Sequence, residues 1–304
     1  MPLLEDGAGL TFEYPPNADA EAEFLYEEIF VRRSYIAHGV CIPSTGAPVI
    51  IDAGANLGLF SLFALRENPH ARIYAVEPAS AAFACLERNL ASAESSRCFQ
   101  LLLRDRAGEC DVHCYPDAPA ESTCHPRERE SQRIRLAAAA AAATAALQSD
   151  DDDADDDWAK QRKQPPPPLP AEIVRVAAVP LSDFLALHCG LADGCIDLLK
   201  VDVEGDELRL LRGLRAADWV RVRQVVVEVH DINGRLEACV GLLRRHGFSV
   251  HSEASRGGVV RGYEMVVPSS LRLCLVFATR RVASRSTKSD NGARGGAHKR
   301  KRKN

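Results

Sequence analysis

Short apolar runs alternate with segments of helical period along most of this chain, a pattern that predicts strands and helices in an α/β arrangement. The first clear run is Val49, Ile50 and Ile51, β-branched and uninterrupted, as a strand buried on both faces requires. Asp52 ends it, and the turn Ala53-Gly54-Ala55-Asn56-Leu57-Gly58 follows. Leu59, Phe60, Leu62, Phe63 and Leu65 then recur at helical spacing. Pro69 and His70 break that helix, and Ile73, Ala75 and Val76 form a second strand that ends at Glu77. The same reading places helices at 20–32, 81–90, 181–188 and 207–214, and another through Leu236, Val240 and Leu243. Strands are expected at 99–103, 112–115, 173–179 and 225–229, along the stretch from Ile196 whose end carries Lys200, Asp202 and Glu204, at Phe248 and Val250, and at 271–278, the last antiparallel.

Two segments break the pattern. Residues 127–170 contain the alanine run 137–143, seven aspartates between Asp150 and Asp157, and the prolines 165–168. No packed core can come from such composition, so a disordered insertion with at most a marginal alanine helix is expected, carrying no catalytic role. Its loop-closure cost grows slowly with length, so a folded domain can hold it. Residues 280–304 hold ten Lys/Arg and one acid, which reads as a solvated basic tail, with nuclear import or nucleic-acid tethering as the alternatives. The expected organisation is an N-terminal extension at 1–19, one domain made of 20–126 and 171–280, the insertion at 127–170, and the tail at 281–304.

Composition narrows the partners. The 304 residues are 46% hydrophobic and 26% charged, enough for one sizeable core. Formal net charge is -4, and removing the tail's +9 leaves a body at -4 - 9 = -13, which argues against a polyanionic substrate. The ten cysteines follow no disulfide framework, and the N-terminus MPLLEDGAGLTFEYPP lacks the apolar stretch of a leader, so a cytoplasmic, reducing setting is expected. The longest alanine-type run is too short to span a bilayer. Cys110, His113, Cys114, Cys124 and His125 fit no common zinc spacing and read as a cysteine-rich hairpin, so no metal is assigned.

The candidate chemistry lies at the ends of the predicted strands. Gly54 and Gly58 permit a sharp bend and close approach of backbone to a ligand. Asn56 is the non-glycine residue best suited to a left-handed conformation between them. Glu77, 23 residues after Gly54, sits where a carboxylate accepts hydrogen bonds from a ribose diol. The turn departs from the dinucleotide fingerprint and lacks the lysine of a phosphate-binding loop. An acid before the first glycine suits a ligand bearing an amino group and a sulfonium, which favours S-adenosylmethionine. Lys200, Asp202 and Glu204 alternate along one strand end and so share a face. His230 ends another strand at the same edge, where an imidazole can act as a base. Asp105 follows a third strand, where polar groups in such folds meet an adenine ring.

Three blocks, VIIDAGANLGLFSLFAL with ARIYAVEP, IDLLKVDVEGDELRLLRGL, and RQVVVEVHDINGRLEACVGLLRRHGFSV, together resemble the FkbM family of S-adenosylmethionine-dependent methyltransferases. The resemblance implies a Rossmann-like, doubly wound, mostly parallel sheet of seven strands with an added N-terminal helix. It implies that Asp52, Gly54, Asn56 and Gly58 hold the methionine end of the cofactor, that Glu77 holds the ribose, and that Asp105 lies near the adenine. Lys200, Asp202, Glu204 and His230 would line the reacting edge, with His230 or Glu204 as base. The implied reaction is O-methylation of a hydroxyl on a small molecule or sugar. A nucleic-acid methyltransferase guided by the tail and a non-catalytic cofactor-binding protein are the alternatives. The strand carrying Asp202 lacks the Asn/Asp-Pro-Pro-aromatic segment of base methylation, which counts against the first of them.

Overall fold

A computed structural model of the chain describes residues 2–5, 9–116, 119–147, 171–191, 194–254, 258–260, 263–265 and 273–280. In chain order its elements begin with β1 (Leu3–Glu5), β2 (Thr11–Glu13), α1 (Asp19–Tyr26), a π-helical turn at Glu27–Val31, β3 (Val49–Ala53) and α2 (Leu59–Glu67). Next come β4 (Arg72–Val76), α3 (Ser80–Asn89), β5 (Ser96–Phe99), β6 (Leu102–Arg104), β7 (Gly108–Cys114), α4 (Pro126–Leu147) and β8 (Glu172–Pro180). The chain continues with α5 (Leu181–Leu187), β9 (Leu198–Val201), α6 (Glu207–Arg212), α7 (Ala216–Trp219) and β10 (Gln224–His230). It closes with α8 (Arg235–Arg245), β11 (Ser249–Ala254), β12 (Gly258–Val260), β13 (Tyr263–Met265) and β14 (Leu273–Thr279).

The central sheet has seven strands in the order β11-β14-β10-β9-β3-β4-β5. β14 runs antiparallel to both its neighbours; the remaining pairings are parallel. The doubly wound sheet expected from the sequence is therefore present, with its antiparallel strand at 273–279. Side-chain alternation divides the core in two. Ile50 packs with Phe60, Phe63 and Leu86 on one face, whereas Val49, Ile51 and Ala53 pack with Leu211, Phe184 and Leu243 on the other. The uninterrupted apolar run 49–51 follows from that double burial.

The strand order reverses between β3 and β9, which pair with Asp52 opposite Lys200. The connections from these two strands leave in opposite directions and open a crevice at their carboxyl ends, where open α/β sheets bind ligands.

Three expectations change in detail. The strand expected at 99–103 is two strands: β5 belongs to the central sheet, and β6 belongs to a separate three-stranded sheet with β7 and β8. The N-terminal extension contributes to the domain, because Phe12 is buried in the core and the Asn89 side chain exchanges hydrogen bonds with the Glu13 backbone. The insertion begins as a helix, α4, whose first turns dock on the domain: Arg129 pairs with Glu121, and Glu128 with Arg235 at 2.7 Å. Residues 148–170, the aspartate and proline runs, and the tail at 281–304 lie outside the described residues.

Candidate active site

The loop after β3 is built for the protein's own crossing. Gly54 has φ +74, and a Cβ there would lie 1.6 Å from the Asp202 carbonyl oxygen. Gly58 has φ +85, and its Cβ would meet Leu86 Cδ1 at 2.7 Å. Both glycines are thus fixed by packing, Gly54 against the Asp202 backbone just after β9 and Gly58 against α3, rather than by ligand approach alone. Asn56 takes the left-handed conformation expected of it, at φ +47.

Beneath the loop lies a buried charge cluster. Lys200 donates to the Gly54 carbonyl at 2.6 Å and reaches Asp52 at 3.2 Å and Asp202 at 3.3 Å. Ser61 Oγ donates to the second Asp52 oxygen at 2.7 Å. Burial alone would strip the charge from Lys200, but the two aspartates outweigh it and hold the ammonium above the usual lysine range. Burial raises the Asp52 carboxyl despite that neighbour.

Above the loop is a cavity at the strand switch point. Its wall carries Glu21, Glu28, Glu77, Asp202, Glu204 and Glu228, and Lys200 is its one cationic side chain among the described residues. Val76, Leu101, Leu102, Leu103 and Val112 line it, and Phe24, Tyr35 and Phe60 also contribute apolar surface. Crowding six acids out of water raises their proton affinities where no cation compensates. Burial pushes Glu21, Glu28 and Glu77 each up to about 7. Glu228 is raised well above the carboxylate range by burial and by the neighbouring Asp202 and Glu28. Tyr35 Oη donates to Asp202 at 3.0 Å and lies 3.3 Å from Glu228, so the phenol sits inside this acid group. Glu77 accepts from the backbone of Asn56 at 2.9 Å and of Ala79 at 2.8 Å, which fixes it at the end of β4.

Glu204 behaves differently. It stands at φ +42, a strained backbone for this residue type, and its carbonyl accepts from Thr123 Oγ1 at 2.7 Å. Burial favours its protonation, but His230 at 3.1 Å, with Arg129 and Lys200, outweighs burial and lowers its proton affinity. His230 in turn lies between Glu204 and Glu207, whose oxygen is 2.8 Å from Nδ1. Burial opposes its charge, yet these two carboxylates hold the imidazolium well above the usual histidine range.

The methyltransferase FkbM domain family matches residues 52–250, well over half of the chain. The chain belongs to the FkbM methyltransferase family. Over 234 residues it is 40% identical to the 31-O-demethyl-FK506 methyltransferase FkbM of Streptomyces tacrolimicus, covering 77% of this chain and 84% of that protein. It is 35% identical over 244 residues to methyltransferase sdnD of Sordaria araneosa, covering 76% and 83% respectively. A solved structure of a methyltransferase FkbM from Methylobacillus flagellatus superposes with a TM-score of 0.45 at 12% identity, covering 88% of this chain and 48% of that one. The protein is accordingly a methyltransferase enzyme. No described helix is long and apolar enough to cross a membrane.

In this FkbM-family site, Gly54, Asn56, Glu77, Lys200, Asp202 and Glu204 all reach the cavity wall. Four expected residues do not, and each has a physical reason. Asp52 is fully buried and bound to Ser61 and Lys200, so it braces the loop from below. Gly58 faces Leu86. Asp105 follows the separate strand β6 and is bound by Arg209 at 3.0 Å. His230 lies between two carboxylates that favour its protonated form, and it opens onto a smaller recess with His125, Glu128 and Arg129 instead of onto the cavity. The expected alternation of Lys200, Asp202 and Glu204 also gives way: β9 ends at Val201, and a turn through Glu204 brings the two acids to the cavity. Among the histidines and cysteines considered for metal, His125 is bound to Asp206 at 2.8 Å, and Cys110 accepts from Arg104 at 3.3 Å.

Sequence reasoning missed Glu21, Glu28 and Glu228. One signal existed. Glu28 interrupts an amphipathic helix next to Ile29 and Phe30 and is itself buried, inside a π-helical turn of a kind often found at functional sites.

Proposed function

We propose that this methyltransferase uses S-adenosylmethionine to methylate a hydroxyl group on a small molecule. The observation that carries the reading is the ring of six carboxyl groups around a cavity at the strand switch point, facing a single ammonium. Such a ring suits a ligand bearing a sulfonium and an α-ammonium, and it repels a polyanion. The fit extends to position. Asn56 Oδ1 is buried with no hydrogen-bond partner, leaving an acceptor free on the cavity wall. Glu77, held by two backbone N–H groups, retains lone pairs for a ribose diol. Leu101, Leu102, Leu103 and Val112 offer an apolar slot for a flat base in place of the Asp105 carboxylate expected from the sequence. The name of the S. tacrolimicus relative specifies an O-methylation, which supports a hydroxyl acceptor here.

When bound, the sulfonium supplies a methyl group already activated for transfer. The protein's part is alignment and proton removal. Transfer to a hydroxyl releases the hydroxyl proton, and Glu28 receives it: a carboxylate raised to about 7 is matched to that task at neutral pH. Glu204, kept ionised by His230, accepts a hydrogen bond from the acceptor and orients it. Lys200 holds the loop and Asp202 in place. No step in this scheme calls on the basic tail.

Isothermal titration with S-adenosylmethionine, followed by labelled methyl transfer to a panel of hydroxylated small molecules, tests the proposal. Absence of any affinity for the donor or for S-adenosylhomocysteine would overturn it. The acids predict the pH dependence. Glu21, Glu28 and Glu77 ionise near 7 in the folded protein, and a cation binds better once they have done so. Affinity for the sulfonium donor should therefore rise about tenfold between pH 6 and 8, with a shallower rise for the uncharged-sulfur product. Stability of the ligand-free protein runs the other way. Each raised acid contributes fully below the reference carboxyl value of 4.5, and that contribution is lost as pH rises through about 7.

A further inference from the structure

A second constellation lies at the outer edge of the sheet, away from the acid cavity. β11 is the outermost strand, and its His251 and Glu253 are two residues apart, so they project from the same face. The loop before β3 supplies a third group. Val40 N–H bonds to the Ala37 carbonyl at 2.8 Å, closing a tight turn whose central residues His38 and Gly39 have φ +50 and +91. A histidine held in the left-handed region costs free energy, and such outliers cluster where a side chain must be aimed. Here the turn lays the His38 ring against Phe277, 5.0 Å between centroids, and stacks it on His251 at 3.6 Å.

The stacking brings both imidazole Nε2 atoms to one carboxylate oxygen. Glu253 Oε2 is 3.3 Å from His38 Nε2 and 3.9 Å from His251 Nε2. One ligand atom from each residue lies within 4.8 Å of the other two. Four ligands around tetrahedral zinc, with bonds of about 2.0–2.2 Å, stand roughly 3.3–3.5 Å apart. The two distances to Glu253 lie close to that range; the stacked rings must also turn so that both Nε2 lone pairs meet at one ion, and all three side chains are partly exposed and have room to do so. Two imidazoles and one carboxylate suit a borderline divalent cation of the zinc type, with a water completing the fourth position.

We propose that His38, His251 and Glu253 form a binding site for a zinc-type divalent cation, which clamps the loop before β3 to the edge strand. The clamp has a consequence for the cavity. Tyr35, three residues before His38, donates to Asp202 within the acid group, so fixing the loop fixes the phenol.

The test uses the full chain, stripped with a chelator and titrated with Zn(II) by calorimetry and with Co(II) by visible absorption. The expected result is one equivalent bound with a Kd of ~1 µM or tighter, with a tetrahedral-type Co(II) spectrum. His38→Ala, His251→Ala and Glu253→Gln should each weaken that binding by about tenfold or more, while donor affinity in metal-free buffer stays at the wild-type value. Amides at 34–41 should exchange more slowly with Zn(II) present in the wild type and not in Glu253→Gln, which preserves side-chain shape. Lack of saturable binding by the wild-type chain would overturn the proposal. So would equal affinity in all three variants, which would place the metal on other groups such as Cys110 and Cys124.

Discussion

Glu28→Gln should lower methyl transfer by about 10²–10⁴-fold while leaving the protein folded and donor affinity within about tenfold of wild type. Proton affinity within a shared cavity sets the size of this effect. Glu28, Asp202, Glu228 and Tyr35 form one acid group, in which burial raises Glu28 to about 7 and Glu228 well above the carboxylate range. Burial and the adjacent Asp202 and Glu28 favour the protonated form of Glu228. Glu28 alternates between forms and can both take a proton from an acceptor and return it to solvent. Wild-type turnover should therefore rise with pH through about 7, and Glu28→Gln should abolish that limb. Glu204→Gln provides the contrast, because an orienting carboxylate should show its loss mainly in the KM for the acceptor. A Glu28→Gln enzyme with wild-type rate and an unchanged acid limb would remove Glu28 from the mechanism.

The second large effect is structural. Lys200→Met should destabilise the fold by about 3–5 kcal/mol, because it leaves the fully buried Asp52 without its counter-ion. It also frees the Gly54 carbonyl from a 2.6 Å hydrogen bond. Folded Lys200 holds its proton above the usual lysine range, so its contribution is complete at neutral pH and fades only as pH rises through that raised value. Pairing the change with Asp52→Asn should recover part of the loss, since a neutral amide in place of the buried carboxylate is easier to bury unpaired. Urea unfolding curves measure both. A single variant within about 0.5 kcal/mol of wild type would show that the pair contributes nothing net.

The two predictions separate roles that the sequence presents together. Lys200, Asp202 and Glu204 stand at alternate positions and look equivalent. In the folded chain the lysine points beneath the loop to Asp52, Asp202 meets Tyr35, and Glu204 is drawn to His230. Glu207 makes the difference for His230. It is fully buried and accepts from Gly205 N at 3.0 Å, with its oxygen 2.8 Å from the imidazole. A second carboxylate there favours the imidazolium form of the candidate base. α4 adds to the same arrangement: Arg129 approaches Glu204, and Glu128 holds Arg235. A segment that composition marks as a spacer thus begins as part of the wall of the smaller recess beside His230.

The sequence by itself determined the architecture and the address of the site. Runs such as 49–51 and 225–229 read as buried strands, and the glycines at 54 and 58 mark a tight bend, because these properties depend on neighbours in the chain. Tertiary structure alone decided which acids share the cavity and which of them keep a proton. Glu28 comes from the N-terminal π-turn, Glu77 from the end of β4, Asp202 and Glu204 from beyond β9, and Glu228 from β10. Proton affinity depends on burial and on charges a few ångströms away in space, and folding sets those distances among residues as far apart in the chain as Glu21 and Glu228.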